Sequence, residues 1–201
     1  MFELPTSLRI NDIYYPIRNN GDFRMVLDCF VALEDAELSQ SDRIITSMII
    51  FFDGVKDASD IYEMFGTKET LETAIKSMYS FFNCGQPDGV GAKMPYKLVD
   101  WERDSHLIAS AVNNVAKREI RADAYLHWWT FMGYYLSIGE SAFSHIVEIR
   151  HKIKAGKKLE KSEQEFKREN PQYFVWDSTT TEAKQTDDLI RSLWSEDENG
   201  G

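Results

Sequence analysis

The chain is short of the features that staple, anchor or export a protein. Cysteine occurs twice, at Cys29 and Cys84, with no Cys-x-x-Cys pair. That excludes thiolate zinc-site spacing and points to a reducing compartment. The longest apolar run, "MIIFF", is far too short to cross a bilayer. The first residues, "MFELPTSLRI", lack the charged n-region and apolar h-region of a signal peptide. Positive charge is in deficit, with 23 Lys and Arg against 33 Asp and Glu and a net charge of -10. Phosphate affinity needs a cationic face, so binding of nucleic acid by the whole surface is excluded. No internal repeat is present. The absences describe a soluble, intracellular, acidic protein without a membrane or nucleic-acid partner. At 201 residues it is one domain, or one domain plus a tail.

Catalytic and metal-binding patterns are also missing. His145 and His151 stand six apart, off any single helical face, and no carboxylate joins them at ligand spacing. "GQPDGVG" has glycines but no Lys-Ser/Thr and no strand-then-helix frame, so it is not a phosphate cradle. No Gly-x-Ser-x-Gly elbow occurs. Cys84 sits at a helix end, where the dipole raises a thiol pKa, the wrong electrostatics for a nucleophile. The expectation is a non-enzymatic protein without metal or cofactor.

What the chain does have is helical periodicity behind a short hairpin. "LRINDIYYPI" alternates apolar and polar residues around Asn11-Asp12, and Pro16 confines its second strand to an edge. "GDFRMVLDCFVALED" offers Asp22 as an N-cap and stacks Phe23, Val26, Leu27, Phe30 and Leu33. "SQSDRIITSMIIFFDG" offers Ser41 as cap, a stripe of Ile45, Met48, Ile49 and Phe52, and Gly54 beyond. "TKETLETAIKSMYSFFNCG" places Leu71, Ala74, Ile75, Met78 and Phe82 on one face and ends at Gly85. Gly and Pro rule out regular structure in "GQPDGVGAKMPYK". Asp100 is then expected to cap a helix carrying Leu107, Ile108, Ala111, Val112 and Val115. "SAFSHIVEIRHKIKAG" makes a later helix with Phe143, Ile146, Val147 and Ile153 inward.

Between them lies "AYLHWWTFMGYYL", residues 124–136. At helical spacing it is apolar nearly all round, the pattern of a central, enclosed helix. A buried His127 there needs a hydrogen-bond partner but no chemistry, so the residues read as core. Two other features are open. Residues 150–168 hold eight Lys and Arg against three Glu. This basic island, with Lys154, Lys157 and Lys158, is either a solvated helix end or a dock for an acidic segment. Residues 177–201 carry seven acids against two bases and one apolar cluster, Leu189, Ile190, Leu193 and Trp194. That cluster either grips a partner groove or folds back on the domain. The expected architecture is a mainly α-helical single domain with an N-terminal β-hairpin over 1–155, a charged segment over 156–176, and a flexible acidic tail over 177–201.

Taken in order, "LPTSLRINDIYYPI", "DFRMVLDCFVALEDAELSQSDR", "FFNCG", "DWERDSHLIASAV", "YLHWWTFMGYYL" and "IVEIR" resemble a family of small phage proteins named after the fifteenth gene product of one such phage. Its members come from long-tailed siphoviruses and prophages of Gram-positive bacteria. The combination of "LHWW-x-F" with the earlier "DW-x-x-D" is its most specific part, and the resemblance spans about 2–155. It implies a tail assembly chaperone in the host bacterial cytoplasm. Such a protein coats the helical, aggregation-prone tape-measure protein until tail-tube subunits displace it. The tape-measure protein is the implied partner, the major tail protein a second one, and self-association into a homo-oligomer a further possibility. A structural ring or adaptor that stays in the virion is the alternative. The motif positions are Trp101, Asp104, Leu126, His127, Trp128, Trp129, Phe131 and Arg150. Trp101 and Trp129 are expected to anchor the fold, with Asp104 placed to pair with Arg150 or to bond His127.

Overall fold

In a computed structural model of the chain, the structure describes residues 3–86 and 97–175. It is mainly α-helical behind an N-terminal antiparallel hairpin, as the sequence predicts. The described residues fall into two compact units, one of 3–86 with 124–133 and one of 97–123 with 134–175.

The first unit opens with β1 (Ser7–Ile10) and β2 (Ile13–Pro16), paired from Ser7 opposite Pro16 to Ile10 opposite Ile13. Asn11 and Asp12 make the turn at φ 48° and 66°. Two successive left-handed residues match the right-handed twist of the strands, and Asn and Asp tolerate that conformation best after Gly. Helix α1 (Phe23–Glu34) starts at Asp22, whose Oδ1 accepts the Arg24 amide at 3.0 Å. Its buried face is Phe23, Met25, Val26, Cys29 and Ala32, with Leu27, Phe30 and Leu33 only half-buried. Helix α2 (Gln40–Phe51) packs along α1. Its cap is Ser39, not Ser41: Ser39 is extended at ψ 161° and its Oγ accepts the Asp42 amide at 3.2 Å. The buried stripe is Ile44, Ser47, Met48 and Phe51, so Ile45 and Ile49 lie at its margin and Phe52 follows the helix end.

Helix α3 (Ala58–Phe65), which the periodicity did not predict, is capped by Asp57 and closed by Gly66 at φ 63°. Helix α4 (Lys68–Phe82) buries all five expected residues, and Phe81 with them. Phe51 meets Phe52, Phe81 and Phe82 edge-on at 5.0 to 5.5 Å. Each such ring contributes roughly 1.5–3 kcal/mol by burial and holds α2 to α4.

In the second unit, α5 (Ser105–Ala116) begins four residues later than an Asp100 cap would start it. Asp100 Oδ1 instead accepts the Arg103 amide at 2.8 Å, capping a turn that precedes the helix. Helix α6 (Trp128–Leu136) has residues in both units. Helix α7 (Ala142–Lys154) opens with a reciprocal box. Ser144 N–H donates to Ser141 Oγ at 3.1 Å, and Ser141 N–H to Ser144 Oγ at 2.9 Å. Its buried face is Phe143, Ile146, Ile149 and Arg150, so Val147 is half-buried and Ile153 exposed. Helix α8 (Lys161–Glu169) and a turn at Pro171–Tyr173 follow. The boundary expected at 155 falls between α7 and α8, and residues on both sides of it belong to the second unit. Among the described residues, no helix is long and apolar enough to cross a membrane.

Candidate functional site

The residues that carry the resemblance assemble into two clusters, one in each unit. The first is built on the end of α4. A helix terminates with carbonyls that have no partner within the helix. Here two tryptophans supply donors: Trp128 Nε1–H donates to Phe82 O, and Trp129 Nε1–H to Phe81 O, both at 2.9 Å. Trp128 is fully buried and Trp129 half-buried. Phe131 is buried, stacked on Phe23 at 4.7 Å and on Trp128 at 5.5 Å. Gly85, at φ 74°, lies so close to Trp129 that an added Cβ would meet its Cη2 at 3.2 Å. "FFNCG" and "LHWW" are therefore two halves of one contact.

Residues 124–127 are not helical, contrary to the expectation of a helix through the whole segment. Leu126 and His127 precede α6 because the Asp22 region holds their backbone. The Phe23 amide donates to Leu126 O and the Leu126 amide to Asp22 Oδ2, each at 2.9 Å. His127 is buried, with Nε2 at 3.0 Å from Pro5 O and Nδ1 accepting the Trp129 amide at 3.0 Å. That pairing puts the proton on Nε2 and leaves Nδ1 as the acceptor that starts α6. Burial pushes the His127 pKa down, against smaller upward pulls from the Pro5 carbonyl and Asp22. Nor is α6 enclosed on all sides, since Gly133 and Leu136 are exposed.

The second cluster joins α5 to α7. Arg150 grips Asp104 with two parallel bonds, Nη1 to Oδ2 at 2.6 Å and Nη2 to Oδ1 at 2.9 Å. Both side chains are buried. Arg150 also donates to Leu98 O at 3.0 Å and, through Nε, to Tyr173 O at 2.9 Å. Asp104 Oδ2 accepts the Asp100 amide at 3.0 Å. One guanidinium thus ties the approach to α5, the end of α7 and the turn after α8. Trp101 lies against Tyr135 at 5.1 Å, and Tyr135 against Phe143 at 5.9 Å. Of the two partners expected for Asp104, the structure provides Arg150.

Two structural cations are not singled out by the sequence, although Lys152 lies in the basic island and four residues from Glu148. Arg18 donates to the carbonyls of Ile49, Ile50, Phe52 and Val55, closing the end of α2. Lys152 bridges Glu148 and Glu163. In the basic island, Lys154 is half-buried while Lys157 and Lys158 are exposed. Leu189, Leu193 and Trp194 lie outside the described residues, as does most of "GQPDGVG". Among the described residues, no three His, Cys, Asp or Glu side chains stand together as a metal site. Burial raises the Cys29 thiol to about 12, and raises Cys84 as well.

This is a helical protein whose motif side chains bond its own backbone. The pattern of the bacteriophage Gp15 protein family matches residues 2–174, and the chain belongs to that family. Membership places it among phage structural and morphogenesis proteins. No curated protein and no solved structure matches the chain.

Proposed function

We propose that the chain is a non-enzymatic tail assembly chaperone of long-tailed phages and prophages of Gram-positive bacteria. It acts in the host cytoplasm and shields helical segments of the tape-measure protein until tail-tube subunits, built from the major tail protein, displace it. The observation that carries this reading is the use of the motif residues. Both nitrogens of His127, both oxygens of Asp104 and the guanidinium of Arg150 are committed to protein partners. Groups held this way specify a fold rather than perform acid–base work. Function then belongs to the surface, and exposed Ile13, Tyr14, Tyr62 and Leu136 give it apolar contact points. The net charge of -10 keeps a binder of amphipathic helices soluble.

Two measurements test the proposal. Co-expression with the tape-measure protein should yield a soluble complex, where the tape-measure protein alone aggregates. Mass spectrometry of purified virions should find the chain absent. Stoichiometric presence in mature tails would instead make it a ring or adaptor.

A further inference from the structure

The turn between α7 and α8 carries cations that the fold does not use. Lys152 is engaged by Glu163 at 2.6 Å and Glu148 at 3.2 Å. Lys154, Lys157, Lys158 and Lys161 make no ion pair among the described residues, and the last three are exposed. Ile153 adds an exposed aliphatic side chain beside them. Unpaired ammonium groups around one apolar residue fit an acidic, amphipathic peptide segment.

We propose that this turn docks the acidic C-terminal segment of the same chain, with residues 187–198, "DDLIRSLWSEDE", as the contacting part. Charge complementarity is the first argument. Residues 177–201 hold seven acids against two bases, and the island at 150–168 holds eight bases against three acids. Tethering is the second. The Arg150–Tyr173 bond fixes the chain on α7 one turn before Lys154, shortly ahead of the acidic segment. Roughly a dozen residues separate this anchor from Asp187, enough to span about 40 Å when extended. A covalent link of this length gives an effective concentration on the order of millimolar. A second copy also offers acids, with fourteen against seven bases over 3–86 and 124–133. It lacks that tether and must bear the full entropy of association. The inference does not depend on the tail-assembly role.

Zero-length carbodiimide cross-linking of the full chain tests this. The reagent activates a carboxyl group, which a lysine amine in contact then captures as an amide. An equal mixture of unlabelled and heavy-nitrogen-labelled protein separates contacts within a chain from those between copies. The expected products join Lys157, Lys158 or Lys161 to Asp187, Asp188 or Glu196 within one isotopic species. Their yield should fall about threefold or more at about 0.5 M salt. Mixed-isotope products in statistical proportion would assign the surface to a second copy and overturn the proposal. So would the absence of products between the turn and the tail. As a second readout, a full-length variant with Asp187, Asp188, Glu196, Asp197 and Glu198 changed to their amides should shift the amide resonances of residues 153–161. Unchanged resonances there would also overturn it.

Discussion

At the scale of single residues, His127 and Arg150 show how buried polar groups are made safe. His127 is neutral in the fold because its Nδ1 must accept the Trp129 amide. Protonating Nδ1 would set a donor against a donor in a buried place. Burial holds the folded pKa below the ordinary 6.5, so between the two values the unfolded chain binds more protons. The stabilisation from His127 is therefore complete above 6.5 and lost as the pH falls from there through the lower folded value. Urea melts of the wild type and of His127→Gln, from about pH 7.5 to about pH 5, should show their stability difference narrowing with acidity. A constant gap would mean that the imidazole is not held neutral. Arg150 makes a different point. Lysine at 150 keeps the charge but loses the planar fork that reaches Asp104, Leu98 O and Tyr173 O together. Arg150→Lys should cost about 3 kcal/mol, because buried acceptors are left without donors. A loss under about 0.5 kcal/mol in the same melts would show that charge alone suffices there.

At the scale of elements, caps decide where helices begin. Ser39→Ala should destabilise by about 1 kcal/mol and Ser41→Ala by little, since only the first hydroxyl accepts an amide of the α2 first turn. Equal losses would return the cap to the position that the stripe of Ile45 and Ile49 suggests. The existence of α1, α2, α4, α5 and α7 was legible because each repeats apolar residues over three or more turns. Helix α3 was not, because its eight residues offer too short a pattern and only Asp57 and Gly66 mark its ends. The start of α6 was hidden for a different reason. Leu126 is held out of the helix by Asp22, 104 positions away, and local spacing carries no trace of that bond. The same holds for the second cluster. Asp104 was placed with two possible partners, and the fold chose between them. The two tryptophans read as packing, whereas their N–H groups also cap α4, a role that only the meeting of two distant segments creates.

At the scale of the molecule, the chain is discontinuous in a way that linear reading cannot show. It passes from the first unit to the second, returns for Ala124–Gly133, and leaves again at Tyr134. The return is bonded through Trp128 and Trp129 to the carbonyls of Phe82 and Phe81, and the chain leaves inside α6. Gly133 is the last residue on the first side of that crossing, within a helix, exposed, and outside the positive-φ region. An added Cβ at Gly133 would meet nothing within 4 Å. Glycine there weakens the helix without relieving any crowding among the described residues. Gly133→Ala should therefore stabilise by about 0.5–1 kcal/mol, because alanine restricts the unfolded chain and favours the helix. Calorimetry should record a higher Tm. A lower Tm would mean that the bare backbone at this point is needed by the fold. A higher Tm with weaker capture of the tape-measure protein would mark Gly133 as a position kept bare for the partner.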